Sequence, residues 1–452
     1  MLGLMLALFS IILVGFLIIK KYKPQPVLLM AGFLLMSCAI VFDMHNILPT
    51  KESTGFVWFD IFEVLKNTFS TRAAGLGLNI MVVGGFARYM DYIGASKVLA
   101  QMVVKPIGKL RAPYVVLAMS YILGQLLGLF INSASGLSLL LMVTLYPILV
   151  NLGVSKLSAA TVIATTLCLD WSPTDAGSIL AANTAGIDIA TYWIKYQVPV
   201  SIAVMSSVAI LHFIVQKWYD KKSGHVPQDI EFDDSIISNN LPPKIYILIP
   251  LIPLLLILFF NDLIISSIKM NLIIAVFISI LVAMLFEYIR YYDSHKLFND
   301  LQVFFDGMGA EFSSVVTLIV AGEIFAKGLQ TVGAIDTIIN FAHLLGFSYI
   351  GMLLVMVSLI ALCSVIMGGN SPFYAFVSLI PTVAAKIAVM PVLLILPLHF
   401  ASSIARSMSP IAAVIIVVAG MSNLPTMEIV KRASIPMCVA LIVNVVATLM
   451  IC

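Results

Sequence analysis

Apolar runs long enough to cross a bilayer recur from Met1 to Ile451, and no polar stretch between them is long enough to fold by itself. About 20 such residues span a hydrocarbon layer roughly 30 Å thick. Inside it every backbone N–H and C=O must be satisfied within the protein, so segments that cross are helices or closed barrels. With 61% hydrophobic and 10% charged residues and a mean hydropathy of +1.09, the chain is far from soluble proteins, in which about a quarter of residues are charged. The fold class is therefore an all-α polytopic membrane protein. Catalysis on macromolecules by an appended domain is excluded, and a net charge of +3 scattered through loops offers nucleic acid no surface. The five cysteines lack CxxC spacing and read as small core residues, without a metal site or a disulfide framework.

The first run, 1–19, has no basic leader and is followed by Lys20, Lys21 and Lys23, the reverse of a cleavable signal. It is expected to remain as the first span, with its N-terminus outside. A second span at 27–42, an amphipathic interfacial helix within 43–71 and a glycine-rich third span at 75–93 follow. Two apolar legs, 113–130 and 137–150, meet at the polar tip Asn132-Ser133-Ala134-Ser135-Gly136. They form either a re-entrant hairpin or two full spans. The run 157–182 is broken by Asp170-Trp171-Ser172-Pro173-Thr174-Asp175, because proline removes a backbone donor and clashes with the preceding turn.

The same order of elements then recurs. Phe86-Ala87-Arg88 matches Phe325-Ala326-Lys327 at an offset of 239, Asn132-Ser133 matches Asn370-Ser371 at 238, and Ser172-Pro173 matches Ser409-Pro410 at 237. So steady an offset implies an internal duplication, with repeats at 1–216 and 245–452 and a connector at 217–244. Each repeat crosses an odd number of times, five with a re-entrant hairpin or seven without, so the halves are inverted. Loop lysines and arginines agree by the positive-inside rule, with both termini outside. Arg111 and Arg432 are counted among the inner loop charges, and Glu323 and Lys327 are expected to pair one turn apart. His343 and His399 read as interfacial or packed, and Trp171 as packed within the break.

Inverted repeats with broken helices are the plan of secondary transporters, whose sites lie near the midplane where repeats meet. The tips Asn132-Ser133 and Asn370-Ser371 are expected to open helices whose N-termini favour an anion, with side chains capping free backbone donors. Arg406, amid Ser407 and Ser409, is costly at membrane depth and reads as a bidentate carboxylate clamp. The expected substrate site comprises Asn132, Ser133, Ser135, Ser172, Thr174, Asn370, Ser371, Arg406, Ser407 and Ser409. Asp170 and Asp175 are coupling candidates: either can pair with Arg406 in the empty state, carry a proton or help bind a cation. No other cofactor is expected. No nucleophile-base pair suggests an intramembrane enzyme, and the closed, pseudo-symmetric site argues against a channel.

These stretches, with Gly368-Gly369-Asn370-Ser371-Pro372 and Ser407-Met408-Ser409-Pro410, resemble the anaerobic four-carbon dicarboxylate carriers of the DcuC type in the ion transporter superfamily. The resemblance implies a bacterial inner-membrane carrier of succinate, fumarate or malate, notably succinate efflux. It also implies an elevator fold with scaffold and transport domains, and a homodimer in lipid. The tips read Asn-Ser here, not the Ser-Asn-Thr of better-known superfamily members, so their sodium sites do not carry over. A carrier of amino acids or other carboxylates is the alternative.

Overall fold

The computed structural model describes residues 2–20, 22–44, 46–104, 106, 110, 112–225, 241–260, 265, 267–268, 270–333 and 349–451. His343, Lys105, Lys109, Arg111 and 226–240 of the connector lie outside the described residues. Among the described residues the chain is helical throughout, without strands.

Among the described residues seven helices are long and apolar enough to cross a membrane, including Pro24–Val41, Ile189–Lys222, Leu272–Tyr291, Tyr349–Met367 and Thr426–Ile451. Their outer faces carry exposed apolar side chains such as Ile210, Leu281 and Ile442, as suits lipid rather than water. Inward, small residues let backbones meet. A Cβ on Gly85 would lie 2.5 Å from the Phe304 carbonyl oxygen, and one on Gly32 would lie 2.6 Å from that of Ile324.

The expected interfacial helix and the third span are one continuous helix, Val57–Tyr92, of 36 residues, and their expected counterparts in the second half, an amphipathic piece at 292–305 and a span at 313–329, form Ser294–Thr331, of 38. No proline interrupts either stretch, so nothing stops the helix at the membrane surface. At 1.5 Å per residue each is more than 50 Å long, well beyond the hydrocarbon thickness. The charged ends therefore extend into the interface. Each helix contains a π-helical turn, at Ala73–Gly77 and at Phe312–Val316, 239 positions apart.

Both expected breaks are present. The helices Lys156–Thr165 and Ala176–Ala185 flank one, and Val392–Arg406 and Ala413–Ser422 flank the other. The segment Ala176–Ala185 packs against Val392–Arg406, so the two broken helices meet. Trp171 is buried in the first break, where its Nε1 donates to the Gln125 carbonyl at 3.0 Å.

Two charge assignments change. Arg432 is not a loop charge: it is 7% exposed and binds Asp220 at 2.5 Å, beside Ser155 and Ser158, joining the helix Thr426–Ile451 to Val198–Lys222. Burial makes such a pair far more costly to break than a surface bridge. Glu323 does not pair with Lys327; it meets Arg72 at 2.6 Å, across the interface of the two long helices. Tertiary contact here overrides the one-turn spacing.

Candidate functional site

The breaks and tips converge on a cavity of about 450 Å³, within the roughly 300–1,000 Å³ of small-molecule sites. Seven of the sequence-derived residues line it: Asn132, Ser133, Asp170, Thr174, Asp175, Asn370 and Arg406. The two tips, 238 residues apart in sequence, thus share one wall.

The helix Val392–Arg406 ends at its arginine, which places the guanidinium at the mouth of the break. Arg406 Nη2 donates to Asp170 Oδ1 at 2.7 Å and to the Leu167 carbonyl at 2.7 Å. Asp170 Oδ2 accepts from Asn370 Nδ2. Both carboxylate oxygens are therefore held by groups of the second half of the chain. Within the first half of the chain Asn132 Nδ2 donates to the Thr174 carbonyl at 2.9 Å and to Thr174 Oγ1 at 3.1 Å. Thr174 is steadied in turn by Ser172, whose hydroxyl also donates to the Leu129 carbonyl at 2.8 Å.

Ser133 caps the helix Ala134–Thr144 as expected, its Oγ accepting from the Gly136 N–H at 3.1 Å. Asn370 does not cap: its Nδ2 donates to Asp170 while its Oδ1 accepts no hydrogen bond, and proline at the second helical position of Ser371–Phe376 leaves one donor fewer to satisfy. Asp175 caps Ala176–Ala185 through the Gly177 and Ser178 N–H groups at 2.7 and 3.2 Å. Five expected residues lie off the wall. Ser172 supports from behind, Ser135 and Ser371 belong to the first turns of their helices, and Ser407 and Ser409 are buried with hydroxyls that make no hydrogen bond in the protein.

The wall also holds Arg88, Asp91, Glu311 and Tyr374, which pattern reading did not assign. Charge inside the long apolar helices was the available signal for Arg88, Asp91 and Glu311; Tyr374 gave none. His399, read as packed, is packed: it is fully buried and stacks on Phe373 and Phe400 with centroids 4.9 and 5.5 Å away. Yet its Nε2 lies 3.9 Å from Asp175 Oδ2. Asp170, Asp175 and His399 bring ligand atoms within 4.8 Å of one another. With both Asp170 oxygens engaged, too few donors remain there for a metal ion.

A second cavity of about 420 Å³ has Asp188 as its only charged side chain among the described residues. A third, of about 330 Å³, is lined by Thr68, Arg72, Glu323, Lys327 and Gln330.

Helices long enough to cross a membrane, with two broken helices meeting at a charged cavity, define the class of polytopic membrane carriers. Over residues 2–452 the chain matches the family described as C4-dicarboxylate anaerobic carrier, and it belongs to that family. Membership makes it a transporter and not an enzyme. It is 33% identical, over 454 residues covering 100% of this chain and 98% of the relative, to a probable anaerobic C4-dicarboxylate transporter of Vibrio cholerae. It is 36% identical over 433 residues, 95% of this chain and 93% of the relative, to the anaerobic C4-dicarboxylate transporter of Escherichia coli K12. Among solved structures, the YdaH transporter of Alcanivorax borkumensis superposes with a TM-score of 0.67 at 14% identity, covering 95% of this chain and 98% of that one. MtrF of Neisseria gonorrhoeae superposes at 0.61 and 11% identity, covering 94% of each. These two share the fold alone.

Proposed function

We propose that the chain carries four-carbon dicarboxylates such as succinate, fumarate and malate across a bacterial inner membrane by alternating access, serving succinate efflux or exchange. The observation that carries this reading is the Arg406–Asp170 pair with its Asn370 partner. Asp170 is a carboxylate already held by the donors a substrate carboxylate requires. A dicarboxylate displaces it at one end, and Asn132, Ser133 and Thr174 hold the other. Family membership does not favour the amino-acid alternative.

The site lies between two inverted repeats, 1–216 and 245–452, joined by a cytoplasmic connector, with re-entrant hairpin tips and an elevator division into scaffold and transport domains. Both termini are periplasmic, and the unit is a homodimer in lipid. Support for the duplication comes from the matched π-turns and from the cavities themselves. Glu311, Gly84, Arg88, Asp91 and Gly307 of the Arg406 cavity correspond, 239 positions apart, to Arg72, Glu323, Lys327, Gln330 and Thr68 of the third cavity. In an inverted pair such a counterpart belongs to the opposite face, and we read it as the closed second mouth of one path.

Counterflow in proteoliposomes tests the function. Labelled succinate should be driven inward by internal succinate, fumarate or malate, and not by butyrate, acetate or aspartate. Equal stimulation by butyrate would reject a dicarboxylate site, and stimulation by aspartate above that by succinate would favour the amino-acid alternative.

A further inference from the structure

Charge in the Arg406 cavity is set against its proposed substrate. Two arginines, Arg88 and Arg406, face four acids, Asp91, Asp170, Asp175 and Glu311. With all of them ionised the wall carries −2, and a dianion must enter it. Arg88 and Asp91 are exposed and screened by water, but Asp170, Asp175 and Arg406 are largely out of it, and there repulsion of an incoming anion by an acid is strong. A cation taken up with the substrate offsets it, and by linkage each then tightens the other's binding.

His399 is the group placed to accept that cation. It is fully buried on the helix Val392–Arg406, and neither ring nitrogen has a hydrogen-bond partner in the protein. Leaving both unmatched in an apolar setting is costly unless the ring has a partner in its working cycle. Phe373 and Phe400 fix its plane. Its Nε2 is aimed at Asp175 Oδ2, 3.9 Å away, a separation that a small side-chain movement closes. Gly177 makes the approach possible, since a Cβ there would lie 2.4 Å from Nε2. Asp170 and Arg406 also act on the ring electrostatically, but they are bound to each other. Tyr374 belongs to the same wall.

We propose that His399 and Asp175 together form the proton site of the carrier, and that one proton taken up there accompanies each dicarboxylate bound at Arg406. The proton enters from solvent through the cavity onto Nε2, and the resulting imidazolium donates to Asp175 Oδ2. One nitrogen beside one carboxylate, whose Oδ2 already accepts from the Gly177 and Ser178 N–H groups, suits a proton, whereas sodium requires several oxygens. The inference rests on the dicarboxylate reading above.

Its test is the affinity of purified protein for labelled succinate between about pH 6.5 and pH 8.5, where ordinary carboxylates are ionised, in sodium-free buffer. One linked proton weakens binding by about tenfold per pH unit as pH rises. An indicator dye should register about one proton taken up per succinate bound. In His399→Gln the slope and the dye signal should both collapse, whatever affinity remains. If that variant does not fold, Gly177→Ala, which pushes the imidazole away from Asp175, should flatten the slope instead. A full slope in either variant, or a wild-type affinity that is flat with pH, overturns the proton site. Wild-type counterflow separates the two readings: succinate counterflow with an unchanged His399→Gln slope removes only the proton site, and absent counterflow removes both.

Discussion

Arg72 and Glu323 form an ion pair at 2.6 Å between the two long π-turned helices, one from each half of the chain. The pair lies in the cavity that corresponds, position by position, to the one holding Arg406. On the alternating access proposed above, it would hold the second mouth closed in this conformation and separate when that mouth opens. At 33% and 17% side-chain exposure it is partly screened and contributes about 1 kcal/mol or less. Glu323→Gln should therefore shift the population toward the opposite-facing state by a few-fold. Labelling of a cysteine placed at Gln330 by a membrane-impermeant maleimide, with the native cysteines replaced, reads this directly. The swap Arg72→Glu with Glu323→Arg should restore the original rate, and an unchanged rate in Glu323→Gln would deny the pair any gating role.

Asn370 joins the second hairpin tip to the first broken helix through Asp170. Asn370→Ala leaves one oxygen of that carboxylate, or of the substrate that replaces it, without its donor. Such a loss costs about 1–3 kcal/mol, and succinate affinity should fall by about tenfold. Asn370→Asp should do worse near neutral pH, because two carboxylates then face each other at hydrogen-bond distance. Protonating one removes the repulsion, so transport by this variant should partly recover as pH falls. Equal transport by wild type and Asn370→Asp across the pH range would show that the amide does not touch the working site.

The Arg432–Asp220 pair bears on stability rather than recognition. Both residues are nearly buried, and Ser155 and Ser158 complete the shell of the carboxylate. Arg432→Ala strands a buried charge at a cost of about 3–5 kcal/mol. The melting temperature in detergent should drop by several degrees, with the preference for succinate over butyrate retained. Arg432→Met with Asp220→Asn should recover most of the loss, since it removes the stranded charge; a double variant no more stable than Arg432→Ala would refute that assignment.

Residues that break a rule of membrane helices were legible in sequence. Arg406 in an apolar setting, Pro173 and Pro410 at matched breaks, and Asn-Ser at matched tips all announce themselves, and the structure brings Arg406 and both asparagines to one cavity. What remained hidden depends on which helix lies opposite. One-turn spacing suggests Glu323 with Lys327, yet a helix from the other half of the chain supplies Arg72, 251 positions away in sequence. His399 follows an apolar run and nothing in its neighbourhood marks it, because its partner Asp175 sits on the other broken helix. The long helices were misread as two pieces each, since a π-turn leaves no proline or charge to signal it.

Arg406 supports the largest expected loss. Its guanidinium is fixed by the Leu167 carbonyl and by Asp170, with 15% of its side chain exposed toward the cavity. A substrate carboxylate that takes the place of Asp170 meets a preoriented donor already largely out of water, where truncating one partner of a charge pair costs about 2–5 kcal/mol. Arg406→Ala should weaken succinate binding by tens-fold or more at unchanged expression. Lysine should rescue only in part, because a point charge on a flexible stem does not reproduce the planar fork. Charge loss alone would weaken any anion, so the decisive comparison is with butyrate, which offers one carboxylate. If Arg406 reads the second carboxylate, Arg406→Ala should lose most of the preference for succinate over butyrate, whereas Asp170→Asn, which frees the guanidinium from its internal partner, should keep it. An Arg406→Ala protein that binds succinate with near-native affinity and preference would mean that the arginine only ties the two broken helices together.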